Sequence, residues 1–199
     1  MTPWRAPTLE GRHVRLEPLE ARHADGLWEA SRDPRTWAWL SIGRPSTRAD
    51  LDAWVDDALR AAAGGVELPL VTLLPGDRVV GSTRFLALRP EHGSVEIGWT
   101  WLNPSAWGTG VNVEAKCLQL GHAFDVWGCR RVEWKTDAQN ERSCRALEAL
   151  GATSEGVHRK HMLVREGENR DSAWYSVTDD EWPTVRAHLD ARLAEKVPD

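Results

Sequence analysis

Apolar and β-branched residues are concentrated in three consecutive segments of the chain, at 66–74, 79–88 and 94–102. Turn-forming residues separate these segments, with Pro-Gly-Asp at 75–77 and a proline and a glycine within 89–93. Runs of this length and composition favour β-strands, and proline and glycine at both corners favour tight reversals of the chain. The pattern therefore predicts an antiparallel meander of three strands.

The segments on either side of this meander show strand or helix periodicity. An alternating run at 12–19 predicts a first strand, and helical spacing at 23–31 and 47–63 predicts two helices, the second of which ends at a Gly-Gly pair. The later segments are predicted to form a helix at 111–127, a strand at 131–135, a helix at 141–150, strands at 156–164 and 171–177, and a final helix at 179–194.

These elements follow the order β-α-α-β-β-β-α-β-α-β-β with a C-terminal helix. The order is that of neither a doubly wound nucleotide-binding fold nor a barrel, and it predicts an α/β (α+β) protein with one mixed sheet and helices on both faces. A chain of 199 residues is long enough for one well-buried core, and it contains no internal repeat or linker. We therefore expect a single domain spanning residues 1–199.

Charge and composition exclude several classes of function. The net charge of −5 gives no broad basic surface, so we expect no nucleic-acid partner. The chain has no apolar leader and no apolar run of the roughly 20 residues that span a bilayer, which predicts a soluble, cytoplasmic protein with no membrane partner. Cys117, Cys129 and Cys144 form no CxxC pair, so we expect reduced thiols and neither a disulfide framework nor a metal site.

The segment 96–116 carries the strongest chemical signal in the chain. A β-like run ends at Asn103-Pro104, a turn containing Gly108 and Gly110 follows, and an amphipathic helical pattern then begins. Glycine lets the backbone approach a ligand closely and adopt positive φ. Because the first N–H groups of a helix lack intrahelical partners, such a junction binds phosphate or pyrophosphate. The alternative is a left-handed turn without a ligand.

A second motif lies further along the chain, where Asn140 and Ser143 open a helix that ends in Leu-Gly. With this motif, the glycine loop 107–112 and the order of elements, the chain resembles the GNAT superfamily of acyl-CoA-dependent N-acetyltransferases. Within it, the chain is most similar to the RimJ/RimL-like branch of ribosomal-protein acetyltransferases. The resemblance covers essentially the whole chain, but Trp107 stands where a polar residue is usual and Asn112 where a small residue is usual.

The resemblance implies the GNAT acyl-CoA N-acyltransferase fold and acetyl-CoA as co-substrate, with no metal. It implies that Asn140 and Ser143 bind the pantetheine arm, although Asn140 also suits a plain helix N-cap. Trp101 and Leu102 are expected to offer backbone groups to the thioester carbonyl. The residues expected to bind the CoA pyrophosphate are Trp107, Gly108, Thr109, Gly110, Val111, Asn112 and Val113.

Glu96 and Ser143 are the candidate catalytic residues. Many superfamily members carry a catalytic glutamate eleven residues before the first loop position, and Glu96 stands eleven before Trp107. It would accept the amine proton directly or through water; a solvated strand position is the alternative. The position of the usual acid, a tyrosine, is held by Leu147, so Ser143 is the remaining candidate for protonating the thiolate, with Cys144 or water as poorer ones.

Candidate acceptor-side residues lie on the two predicted strands near the C-terminus. Arg159, Lys160 and His161 on the first and Asp171 on the second could bind a carboxylate or phosphate of the acceptor, or supply a base. The alternative is a charged sheet face without a ligand. The aperiodic loop at 35–39 is expected to close over the acceptor.

These observations predict an enzyme that transfers the acetyl group of acetyl-CoA to a primary amine by direct attack, without a covalent enzyme intermediate. The acceptor is a small molecule or a peptide: a protein N-terminus, an amino acid or a small amine. Two alternatives stay open, namely an acyltransferase for a longer acyl-CoA and a non-catalytic acyl-CoA-binding or regulatory domain. A homodimer is also possible, through an exposed sheet edge and the final helix.

Overall fold

The computed structural model describes residues 4–196, and all of their side chains except those of Glu166 and Lys196. Its strands form one eight-stranded sheet, and every neighbouring pair is antiparallel except the fifth and sixth strands. The strands are β1 (Leu9–Glu10), β2 (Arg15–Pro18), β3 (Leu68–Leu74), β4 (Arg78–Arg89), β5 (Ser94–Leu102), β6 (Arg131–Asp137), β7 (Thr153–Val164) and β8 (Glu168–Thr178). Their spatial order is β1-β2-β3-β4-β5-β6-β8-β7.

Helices cover both faces of this sheet, as the two sides of β3 demonstrate. Leu68 and Leu70 pack into one core, and Val71 and Leu73 pack into another. Because successive side chains of a strand point to opposite faces, the two cores lie on opposite sides of the sheet. The third, fourth and fifth helices contribute to the first core and the first two helices to the second. The helices are α1 (Ala24–Ala30), α2 (Arg48–Ala63), α3 (Val111–Gly121), α4 (Glu141–Leu150) and α5 (Trp182–Lys196).

The predicted fold class is confirmed, since the sheet is mixed and helices cover both of its faces. The predicted three-strand meander is the antiparallel succession of β3, β4 and β5. The predicted domain 1–199 includes residues 1–3 and 197–199, which lie outside the described residues. Its extent as a single domain stays a prediction.

Several predicted boundaries were wrong for local reasons. Strand β1 was missed because its two residues are too short to show a period, although they pair with β2. The helix predicted at 111–127 is α-helical only to Gly121 and continues as a π-helical turn, in which the N–H of Trp127 donates to the carbonyl of His122. The final helix begins later than position 179 because the Glu181 carboxylate accepts the N–H of Thr178 at 2.8 Å and holds a turn there.

Strands β5 and β6 pair over a very short length. Only Ser94, Val95 and Glu96 of β5 have partners on β6, and the last of these pairs joins Glu96 to Glu133. The remaining six residues of β5 have no partner on that side. The two strands therefore diverge directly after Glu96 and leave a cleft in the middle of the sheet.

A β-bulge on the opposite edge of β5 gives the strand its shape along this cleft. The pairing of β5 with β4 shifts at this point, and Trp99 has a φ of 50°. Positive φ is uncommon for a bulky residue and requires support from the surroundings. The guanidinium of Arg84, itself paired with Glu67 at 2.6 Å, lies 4.9 Å from the centre of the Trp99 ring and supplies part of that support.

Candidate active site

The gap between β5 and β6 opens into a cavity of about 540 Å³. Residues of β5 from Glu96 to Leu102 line it, and residues of the glycine loop, the start of α4, the loop after α1 and the neighbouring strands form the rest of its walls. Those strand residues span roughly 20 Å at the usual rise of a β-strand. The cavity is therefore long enough for an extended ligand, and its volume is in the range of known ligand sites.

The glycine loop leaves the first turn of α3 uncapped and accessible. Gly108 has a φ of 76° and Gly110, the N-cap residue, a φ of 91°. Gly110 has no side chain that could accept hydrogen bonds from the first-turn N–H groups, and both glycines line the cavity together with Asn112 and Val113. The N–H groups of this first turn can therefore donate to an anionic ligand.

Two residues predicted for the loop site can act only through their backbone. The Thr109 hydroxyl donates to the carbonyl of Ala106 at 2.8 Å, and the Val111 side chain is buried in the core. Neither side chain lines the cavity. Trp101 and Leu102 are buried at the end of β5 and do line it.

Trp107 anchors the loop to the strand that precedes it. Its indole Nε1–H donates to the carbonyl of Leu102 at 2.9 Å, and the guanidinium of Arg142 lies 3.6 Å from the centre of its ring. This contact is a cation–π interaction that joins the loop to α4. The departure from the family pattern at this position therefore has a structural role. Arg142, which also lines the cavity, was not predicted from the sequence.

The start of α4 faces the glycine loop across the cavity. Asn140 is buried and its Oδ1 accepts the backbone N–H of Ser143 at 3.1 Å, so it is the N-cap of the helix. Among the described residues, no group accepts a hydrogen bond from its Nδ2, which is left to donate to a ligand. Ser143 and Leu147 also line the cavity, and Leu147 has no proton to give.

Glu96 lies at the point where the strands diverge, and it is buried rather than solvated. Its carboxylate accepts two hydrogen bonds from Lys135 Nζ, at 2.7 and 2.5 Å. Burial raises the pKa of Glu96 above its ordinary value, while the ammonium of Lys135 opposes that shift and the nearby Glu133 adds to it. Glu96 is therefore a carboxylate with increased basicity facing the cavity.

Lys116 on α3 is a second buried ionisable group in the cavity wall, and it was not predicted. Its Nζ donates to Thr100 at 2.8 Å, to Gln119 at 2.9 Å and to Thr83 at 3.1 Å, all of them neutral acceptors. Burial without a carboxylate partner lowers the pKa of Lys116 to about 7. Its spacing of four residues from Leu120 on the buried side of the helix was a usable signal.

The predicted acceptor-side residues lie mostly outside the cavity. Arg159, Lys160 and His161 are exposed on β7, and the Asp171 carboxylate accepts the backbone N–H of Lys160 at 2.6 Å. None of the four lines the cavity; Met162 and Arg170 from the same two strands do. From the loop predicted at 35–39, Thr36 and Trp39 reach the cavity wall.

The structure also bears on metal binding and on membrane-spanning helices. Across residues 4–196, no cluster of three or more His, Cys, Asp and Glu side chains is arranged to hold a metal ion. In the same part of the chain, every helix is too short or too polar to cross a bilayer.

Comparison with known proteins identifies the family. Residues 13–153 match the family model described as the acetyltransferase (GNAT) domain, which is well over half of the chain. The chain belongs to the GNAT acetyltransferase family. The gap between the parallel strands β5 and β6, with the glycine loop at the start of α3, is thus the candidate active site of a GNAT protein.

Individual relatives agree with this assignment. The N-acetyltransferase p20 of Bacillus licheniformis is 26% identical over 161 residues, which are 79% of this chain and 89% of that protein. A GCN5-related N-acetyltransferase from Brucella melitensis has a TM-score of 0.90 and 35% identity, covering 99% of this chain and 90% of that one. RimJ of Mycobacterium smegmatis, solved in complex with CoA-disulfide, has a TM-score of 0.79 at 22% identity, covering 96% of this chain and 95% of that one; it shows the fold alone.

Replacing Lys116 by Met is predicted to change how stability depends on pH. The unfolded chain holds a proton on Lys116 up to its ordinary pKa of 10.5, whereas the folded chain releases it near a pKa of about 7. Between these values the unfolded state binds more protons, so the free energy of unfolding of the wild type, relative to Lys116→Met, rises with pH. Below this window the difference is constant.

Urea unfolding of both proteins at about pH 6 and about pH 9.5 measures the difference. Lys160→Met is the control, because the Lys160 side chain is exposed on β7 and its loss should give no such slope. A difference between wild type and Lys116→Met that is the same at both pH values would contradict the buried, uncharged state of this lysine.

Proposed function

We propose that this GNAT protein transfers the acetyl group of acetyl-CoA to a primary amine by direct attack. The observation that supports this most strongly is the cavity between β5 and β6, which leads from the uncapped start of α3 to the buried carboxylate of Glu96. One end of the cavity is suited to bind a diphosphate, and the other end contains a carboxylate that can accept a proton. We also propose, from the glycine loop and the Asn140 motif, that the chain is nearest the RimJ/RimL-like branch.

The residues that line the cavity are suited to hold CoA along its length. The N–H groups of the glycine loop and of the first turn of α3, from Gly108 to Val113, would bind the pyrophosphate, and the guanidinium of Arg142 would add a positive charge. The free Nδ2 of Asn140 would donate to an amide carbonyl of the pantetheine arm. Acetyl-CoA supplies the activated acetyl thioester. The M. smegmatis RimJ complex with CoA-disulfide supports the same kind of ligand for this fold.

Glu96 would act as the general base. It would accept the proton that the amine loses as the new C–N bond forms, directly or through one water. Because its pKa is raised, Glu96 is a stronger base than an ordinary glutamate and is closer in basicity to an amine. Lys135 keeps the carboxylate oriented through its two hydrogen bonds.

Ser143 would deliver a proton to the sulfur as the C–S bond breaks. Its hydroxyl lies in the cavity wall at the start of α4, on the side from which the pantetheine would be held. Lys116 is a second proton donor in the same wall, because its pKa of about 7 allows it to exchange a proton near neutral pH. Either group would return to its starting state by exchange with solvent.

The direct test of this proposal is thiol release from acetyl-CoA in the presence of amines, in the wild type and in Glu96→Gln. We expect Glu96→Gln to lower kcat/KM about tenfold or more, because the amide cannot accept the proton. The acidic limb of the wild-type pH profile, which lies above the ordinary pKa range of a glutamate, should disappear in the variant.

Glu91→Gln is the matched control, because Glu91 is exposed in the turn before β5 and does not line the cavity. Its kcat/KM should equal that of the wild type. If acetyl-CoA binds but no amine in the panel gives thiol release, the chain is an acyl-CoA-binding protein and the proposal is wrong. If Glu96→Gln keeps the wild-type rate and pH profile, the assignment of the base is wrong.

Substitutions at Asn140 separate its role as helix cap from its role as ligand. Asn140→Asp keeps an oxygen that caps α4 but removes the Nδ2 donor, whereas Asn140→Ala removes both. We expect both variants to raise the Kd for CoA about tenfold, measured by calorimetry. Only Asn140→Ala should also lower the free energy of unfolding, by about 1 kcal/mol. Wild-type CoA affinity in Asn140→Asp would mean that Asn140 is a cap only.

A further inference from the structure

One face of the sheet beside the cavity is polar and is not covered by the first two helices. Paired residues of neighbouring strands share a face, and the pairs here are Glu96 with Glu133 and Lys135 with Trp174. Helices α1 and α2 pack on this same side but against β3 and β4. On the part of the face formed by β5, β6 and β8, the side chains of Glu96, Lys135 and Arg170 line the cavity instead.

Arg170 lies on this face, at the start of β8. Because side chains alternate along a strand, Arg170 is on the same side of β8 as Ser172 and Trp174, and Trp174 pairs with Lys135. The Arg170 side chain lines the cavity together with Glu96 and Lys135. Only 7% of the residue is exposed, which is rare for an arginine without a partner.

The acidic groups around Arg170 are already engaged by other cations. Glu96 is bonded to Lys135, and Arg165 lies 3.8 Å from Asp137. Among the side chains that the structure describes, none forms an ion pair with Arg170, and its Nε has no hydrogen-bond partner.

An uncompensated guanidinium in a buried position is costly. Burial lowers the pKa of Arg170, and the carboxylates of Asp137 and Glu96 oppose that shift without contacting the side chain. A guanidinium keeps its proton in a protein. Removing such a charge from water without pairing it costs several kcal/mol in general. Its planar fork of N–H donors matches the two oxygens of a carboxylate. The cavity that contains Glu96 thus also contains a guanidinium with no carboxylate of the described residues in contact with it.

We propose that Arg170 binds a carboxylate of the amine acceptor, so that the substrate is an amine that also carries a carboxylate. This inference rests on the proposed acetyl transfer. A protonated amine without an anionic group would meet the unpaired charge of Arg170 and would be repelled. A carboxylate on the same molecule neutralises Arg170 and leaves the amine to Glu96. A free amino acid and a peptide with an acidic first residue both carry this chemistry.

The experiment compares acceptors that differ only in the carboxylate. In the first arm, L-amino acids are compared with their carboxamides. In the second arm, peptide amides that begin with Asp or Glu are compared with those that begin with Asn or Gln. We expect kcat/KM to favour the carboxylate member of a pair about tenfold or more. A preference in the first arm identifies a free amino acid as the source of the carboxylate, and one in the second arm identifies an acidic peptide.

Variants at Arg170 connect this preference to the side chain. Arg170→Met should reduce the preference to about twofold or less, and Arg170→Lys should retain part of it. Arg78→Met is the control, because Arg78 is exposed at the start of β4 and outside the cavity, and it should keep the full preference. If Arg170→Met does not fold, the same comparison can be made on the wild type alone. N-acetyl amino acids should then inhibit thiol release more strongly than their amides do.

The outcomes separate this inference from the function on which it rests. Thiol release with equal preference for both members of every pair contradicts the carboxylate site and leaves acetyl transfer intact. A preference that persists in Arg170→Met also contradicts it. Absence of thiol release with every acceptor contradicts acetyl transfer itself. The carboxylate site, which rests on acetyl transfer, is then contradicted as well. A preference lost only in the Arg170 variants supports both.

Discussion

The short parallel pairing of β5 with β6 is the constraint on which the rest of the site depends. Three residue pairs join the two strands, and beyond Glu96 the sheet has no further bonds between them. An open edge inside a sheet leaves backbone groups without partners, so the surrounding elements must either cover it or leave it to a ligand. Here the glycine loop, α4 and the loop after α1 surround the gap without filling it.

Buried ionisable groups give this gap its chemical character. Glu96 and Lys135 neutralise each other, whereas Lys116 and Arg170 are buried without a carboxylate in contact among the described side chains. Such groups lower the stability of the folded chain unless a ligand compensates them. Because all four line one cavity, their cost is concentrated at the place where we propose that two substrates meet.

The parts of the site that could be predicted from the sequence are those that depend on local chain chemistry. The loop at Gly108 and Gly110 and the helix start at Asn140 are each encoded within a few residues, and the order of elements fixed the fold class. Lys135 and Arg170 could not be found, because their position in the cavity depends on how β6, β8 and β7 pair with one another. The π-helical turn after α3 and the two-residue strand β1 were missed because neither has a distinct period.

A crystal structure of the complex with CoA tests the central claim most directly, that the gap after Glu96 is the place of reaction. The account predicts the diphosphate at the first-turn N–H groups of α3, a pantetheine amide at Asn140 Nδ2, and the sulfur in the gap between β5 and β6 on the side of Glu96. A CoA molecule bound elsewhere, with the gap between the strands filled by side chains or water alone, would contradict it.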